Sequence, residues 1–109
     1  MNLTIKPLES FKKSVKKLAK RYKNIAKDLY TLEEELTSNP ACGTHIGSNC
    51  YKIRVANSSI PTGKSGGFRV IYYKKIKNTI YLMDIYSKSD MENITDEKIL
   101  EILRGNGLN

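Results

Sequence analysis

GKSGGFRVIYY, residues 63–73, is the stretch whose reading decides the fold. Its first half is a glycine-bracketed turn carrying Lys64. Its second half changes abruptly to Phe68, Arg69, Val70, Ile71, Tyr72 and Tyr73, a β-branched and aromatic run that reads as a strand. Side chains alternate across a strand, so Phe68, Val70 and Tyr72 face one way and Arg69, Ile71 and Tyr73 the other. The first set can join a core, leaving Arg69 on the opposite face beside the loop that carries Lys64. Two cations next to glycine backbone suit a phosphate. Gly63, Lys64 and Ser65 spell the end of a nucleotide-binding P-loop, but that motif needs a glycine where Ser58 stands and a helix directly afterwards. Neither is present, and the nucleoside-triphosphate reading falls.

Working outward, the 109 residues suffice for one domain, 1–109, with a core that needs neither disulfide nor metal. Lys and Arg number 19 against 11 Asp and Glu, for a formal net charge of +8 and a pI near 9.5. Such an excess points to a polyanionic partner, nucleic acid first. No apolar run approaches the roughly 20 residues of a membrane span, and Lys6 interrupts the only apolar N-terminal stretch, so a cytoplasmic location is expected. Cys42 and Cys50 are then expected to be reduced thiols. With His45 they supply three zinc-type ligands and no fourth, too few for a closed tetrahedral site, so no metal or cofactor is expected.

Before the decisive stretch, Leu3 and Ile5 suggest a short edge strand ending at Pro7, which suits the first turn of a helix. Leu8, Phe11, Val15, Leu18 and Tyr22 then recur at helical spacing, with Lys12, Lys13, Lys16, Lys17, Lys20, Arg21 and Lys23 on the opposite face. Ile25, Leu29, Leu32 and Leu36 repeat the spacing after a short break near Lys23 and Asn24. Two stripes so joined imply an antiparallel helical hairpin laid on one side of a sheet. Glu33, Glu34 and Glu35 crowd the end of the second helix, where acids oppose its dipole and are free to serve a partner.

Asn39 and Pro40 stop that helix, and 41–49 reads as a polar loop or short strand. Tyr51, Ile53 and Val55 alternate with Lys52, Arg54 and Ala56, a half-buried strand with a cationic outer face. Residues 57–67 form a long, flexible connection. After 63–73 comes a polar turn, then an inner strand from Thr79 to Tyr86, the three strands making an antiparallel meander. Lys88 lies just past its end. Thr95 caps a final helix with Asp96 and Glu97 in its first turn, closed near Arg104 and Gly105.

The order β-α-α-β-β-β-α, the basic helix around FKKSVKKLAKRY, the NP break, YKIRVA, GKSGGFRVIYY, IYLMDIYSKSD and ENITDEKILEIL together resemble the RelE/HigB family of bacterial toxin–antitoxin ribonucleases, and within it the HigB-like subgroup. The resemblance implies an α+β fold in which a small antiparallel sheet packs against an N-terminal α-hairpin, with a short C-terminal helix. It implies an endoribonuclease that cuts mRNA, typically on the ribosome, without metal, the ribose 2′-hydroxyl attacking its own phosphate. Position in the motif carries over Lys52 and Arg54 from YKIR, Arg69 from the G-F-R strand, Lys64 from the subgroup loop and Lys88 from the position after the last strand. Arg54 and Arg69 would hold the scissile phosphate, whose transition state gathers negative charge, and Lys64 or Lys88 would transfer a proton.

Founding family members place a catalytic tyrosine within the last helix. Ile94 and Thr95 stand in the matching region here, leaving Tyr86 to stack on a base or replace it. Lys16, Lys17 and Lys20 would steer the RNA backbone. The implied partners are mRNA, the ribosome and a cognate antitoxin with a HigA-like helix-turn-helix, covering the basic cleft with acidic or apolar segments. Two rival readings stand beside this one. A same-fold inhibitor of DNA gyrase generally lacks the full cation cluster, and a noncatalytic RNA- or ribosome-binding module would use the basic helix alone.

Overall fold

The computed structural model describes residues 3–61, 63–75 and 78–108. Along the chain run β1 (Thr4–Pro7), α1 (Glu9–Ala19), α2 (Ile25–Ser38), β2 (Thr44–Gly47), β3 (Cys50–Val55), β4 (Phe68–Tyr73), β5 (Thr79–Ser87) and α3 (Asp96–Gly105). They build one five-stranded sheet in the order β1-β5-β4-β3-β2. From β2 to β5 each strand pairs antiparallel with the next, whereas β1 pairs parallel with β5, Thr4 opposite Thr79 and Pro7 opposite Leu82. The expected antiparallel sheet is therefore mixed. A parallel neighbour needs a long crossover, and here everything from α1 to β4 intervenes between the two edges of that pair.

β4 alternates as its sequence demands. Phe68, Val70 and Tyr72 join Phe11, Leu18, Tyr22, Ile25, Leu32 and Leu36 in a core between the sheet and the helical hairpin. Ile71 and Tyr73, on the other face, pack with Cys50, Met83, Ile99, Ile102 and Leu103. α3 thus covers the face that had been expected to be free for cations, and every residue of β4 is buried. A sheet buried on both faces reads as a continuous apolar run, which is why Phe68–Tyr73 is so uniformly apolar around Arg69.

The hairpin differs slightly from its sequence outline. α1 ends at Ala19, and Tyr22 belongs to the turn rather than the helix. Its ring still reaches the core, edge-on to Phe68 with centroids 5.5 Å apart. Leu8 packs in the second core, with α3, rather than with the rest of its stripe. The connection after β3 begins anchored rather than loose: buried Asp28 of α2 accepts a 3.0 Å bond from the Ser58 amide, and the Asn24 amide donates to Ser59 Oγ at 3.1 Å.

In α3 the Thr95 hydroxyl accepts the Lys98 amide at 3.2 Å, the expected cap. The helix continues through Gly105, and the left-handed residue that ends it is Gly107, at φ +65°, with the Leu108 amide returning to the Leu103 carbonyl at 2.9 Å. No helix among the described residues is long and apolar enough to cross a membrane.

Two core acids make the fold sensitive to alkali. Burial pushes the Cys50 thiol up to about 11 and the Tyr72 hydroxyl up to about 12. The unfolded chain releases those protons near pH 9 and 10, so it binds fewer protons than the native state as pH rises through that range. Stability from these groups is complete below pH 9 and is lost progressively between about 9 and 12. Melting followed by circular dichroism should show Tm falling across that window, and Tyr72→Phe should flatten part of the fall.

Candidate functional site

Arg54 of β3 lies directly opposite Arg69 of β4, and Arg69 directly opposite Tyr86 of β5. Cross-strand partners share a face, so these three form a row at one end of the sheet, with Lys88 one residue beyond β5. They do not have equivalent surroundings. Arg54 is exposed, while Arg69 and Tyr86 are each only 5% exposed.

The Arg69 guanidinium turns inward onto carbonyl groups. Nη1 donates to Lys64 O at 3.0 Å and Phe68 O at 3.3 Å, and Nη2 donates to Ser65 O at 3.1 Å. The planar fork thereby closes the loop that the glycines allow. Gly67 is required there, because a Cβ at that position would run directly into the Val55 carbonyl oxygen. The Gly67 carbonyl in turn accepts the Lys88 amide at 3.0 Å. Lys64, Arg69 and Lys88 therefore meet around one loop, but Arg69 shapes it from beneath.

Tyr86 packs in the second core with α3, and burial raises its hydroxyl above the ordinary range. The Ile94 backbone and the Arg69 charge pull the other way, yet Oη makes no hydrogen bond of sound geometry among the described residues. The ring expected to stack on a base is thus enclosed in the free chain.

Exposed Arg54 and Lys64 and half-buried Lys52 share a cleft of about 340 Å³ whose lining also includes Glu35, Cys42 and Thr44. Its position follows from the sheet. β2 pairs with β3 only as far as Lys52, opposite Thr44, so the outer edge of β3 is uncovered from Ile53 onward. α2 and the 63–67 loop wall this open edge. Lys52 Nζ donates to Asn93 Oδ1 at 2.9 Å, and Lys64 Nζ lies 3.6 Å from Glu35 Oε2. The wall beside Glu35 is fixed by Tyr72, whose hydroxyl donates to Pro40 O and accepts the Gly43 amide, each at 3.0 Å. Burial, then the nearby Glu35 charge, pushes the Cys42 thiol up, so it is a poor nucleophile.

The other sequence candidates lie elsewhere. Lys88 pairs with Glu92 at 3.5 Å and does not line the cleft. Lys16, Lys17 and Lys20 are exposed on or next to α1, which packs over β5, away from the cleft edge at β3. Cys42 packs against the hairpin-side core and Cys50 within the other, so the two thiols face opposite sides of the sheet. His45 is exposed and leans on the Tyr51 ring, centroids 5.1 Å apart. Among the described residues no three His, Cys, Asp or Glu side chains are grouped to hold a metal.

Glu35 is the cleft residue that motif reasoning did not select. Its only sequence signal was an acid at the wrong end of a helix for the dipole. A second unforeseen contact is the Arg21–Asp90 pair, in which Nη1 lies 2.8 Å from both carboxylate oxygens and ties the end of the basic helix to the segment after β5.

No curated protein sequence aligns significantly with the chain. Among solved structures, a double arginine-to-alanine mutant of the E. coli toxin RelE in the free state shares the fold at a TM-score of 0.58 and 17% identity, the match covering 95% of this chain and 97% of that one. The family described as RelE toxin of the RelE/RelB toxin–antitoxin system matches residues 8–104, from the start of the hairpin to the end of the last helix. With hairpin, meander and terminal helix all inside that span, the chain belongs to the RelE toxin family and is the toxin of a toxin–antitoxin system.

Proposed function

We propose that this toxin is an endoribonuclease that cuts mRNA, on the ribosome, by attack of the ribose 2′-hydroxyl on the adjacent phosphate. The observation that carries the reading is the convergence of Lys52, Arg54 and Lys64 on one open cleft at an uncovered strand edge. A phosphodiester passing through phosphorane geometry gains negative charge on its non-bridging oxygens. Preorganised cations aimed at that charge are the largest stabilising contribution available without a metal. Arg54 supplies a planar fork matched to two phosphate oxygens. Lys52, steadied by Asn93, adds a second charge, and Lys64, lining the same cleft, serves in this reading as the proton donor to the departing oxygen.

Arg69 contributes by holding the Lys64 loop. Lys88, beyond the cleft, would in this reading meet a neighbouring phosphate of the same strand. The α1 lysines add long-range attraction to the RNA backbone, an effect that weakens with salt. The antitoxin of this pair carries a helix-turn-helix domain of the HigA type and covers the cations with acidic or apolar segments, acting in the cytoplasm.

The test is inducible expression in bacteria with transcript 5′ ends mapped before and after induction. Growth arrest with new in-frame ends bearing 5′-hydroxyls is the expected result. Arrest with intact transcripts would overturn the nuclease and point to another target.

A further inference from the structure

Resting on the nuclease reading, we propose that Glu35 is the base that takes the proton from the attacking 2′-hydroxyl. The cleft needs a proton acceptor, and its lining leaves few choices. Lys52, Arg54 and Lys64 bring donor groups suited to holding phosphate oxygens. Cys42 keeps its proton because burial and the Glu35 charge hold the thiol up. The Thr44 hydroxyl is not a base in water. Glu35 remains, a carboxyl group brought in by the last full turn of α2, with Oε2 3.6 Å from Lys64 Nζ.

The position of the carboxylate is itself unfavourable, which is a reason to look for a use. It sits near the C-terminal, partially negative end of α2, where the helix carries no basic residue in its last turn. Lys64 reaches it from a loop nearly thirty residues further on, across the cleft rather than along the helix. Both side chains remain partly in solvent, 37% for Glu35 and 61% for Lys64, so a phosphate can enter by parting them.

In the step that follows, the 2′-oxygen bonds to phosphorus as its proton passes to Glu35. The bond from phosphorus to the 5′-oxygen breaks, and the leaving oxygen takes a proton from the Lys64 ammonium. The products are a 2′,3′-cyclic phosphate and a 5′-hydroxyl end, with no other reactant consumed. When they depart, protonated Glu35 and neutral Lys64 come back into contact, and the proton crosses between them to restore the starting state. The groups facing Glu35 are Lys64 from the loop, Lys52 and Arg54 from β3, and Cys42 from the segment after α2.

The test uses the purified full chain and labelled mRNA programmed on purified ribosomes, under single-turnover conditions across pH. Glu35→Gln keeps the shape of the side chain and removes its basicity. Its cleavage rate should fall about 10²- to 10⁴-fold with little change in half-saturation, and the rise in rate on the acid side of the wild-type profile should disappear. Glu35→Asp should retain that acid-side rise at an intermediate rate.

Cleavage by Glu35→Gln within about threefold of wild type overturns the assignment. So does a large fall that leaves the acid-side rise in place, since that marks Glu35 as only a holder of Lys64. An Arg54→Ala control separates the two levels: activity lost in that variant but kept in Glu35→Gln sinks the base and spares the nuclease. Wild-type protein that leaves mRNA intact, or that cuts a strand carrying 2′-O-methyl at the cleaved nucleotide, sinks both.

Discussion

Arg54→Ala is expected to slow mRNA cleavage by roughly 10²- to 10³-fold, the loss seen when one donor aimed at transition-state charge is removed, about 3–4 kcal/mol. The same substitution should scarcely change the melting temperature. Arg54 is exposed on the cleft side of β3, so its removal opens no cavity, and surface substitutions of this kind cost under about 0.5 kcal/mol. It also relieves a repulsion, since Arg54 stands directly opposite Arg69 and like charges in that register repel. A large kinetic loss beside an unchanged fold is the signature of a residue kept for chemistry. Arg54→Lys should recover only part of the rate, because an ammonium replaces the charge but not the fork. Rates and Tm measured on the same preparations decide the matter. An alanine variant that cleaves within about threefold of wild type would place the site elsewhere on the sheet.

The architecture was legible because its elements announce themselves locally. Tyr51, Ile53 and Val55 alternate, Phe68 to Tyr73 carries branched and aromatic residues throughout, and the hairpin shows two stripes at helical spacing. In the sequence β2 is no more than a loop or short strand, since all four of its residues are exposed and it has no apolar face to reveal it. Its turn did leave a trace: Gly47, Ser48 and Asn49 all take positive φ, a conformation that suits Gly and Asn and marks a tight hairpin.

The site was legible as a set of cations and illegible as a geometry. Alternation correctly separated Arg69 from Phe68 and Val70, but it could not say whether the second face met water or another helix. The apolar Ile71 and Tyr73 on that face, together with an unplaced amphipathic C-terminal helix, were the clue that both faces are covered. Glu35 lay beyond such reasoning altogether. Only the packing of α2 over the edge of β3 brings that carboxylate to a lysine so distant in the chain.

Arg69→Ala is expected to damage the protein differently from Arg54→Ala, lowering both stability and activity. Three carbonyl oxygens, of Lys64, Ser65 and Phe68, take their hydrogen bonds from this one buried guanidinium. Removing it deletes those bonds, leaving the Lys64 carbonyl with the Gly67 amide alone at 3.3 Å, and opens a void where a long side chain filled the sheet face. The loss is put at about 2–4 kcal/mol, from the hydrogen bonds of a charged group and the void left by a buried side chain. Relief of repulsion with Arg54 returns only a fraction of this, 1 kcal/mol at most on the scale of cross-strand pairs, so destabilisation prevails. For a chain of this size Tm should drop by roughly 10–20 °C.

Cleavage falls with it because the loop no longer presents Lys64 to the cleft. Arg69→Lys distinguishes loop support from direct phosphate contact. An ammonium cannot span Lys64 O and Ser65 O as the fork does, so loop support predicts a melting loss approaching that of alanine. A phosphate ligand predicts near-native melting and a purely kinetic defect. Thermal melting of Arg69→Lys beside Arg54→Lys therefore reads out the division of labour directly: the first should unfold early, and the second should not.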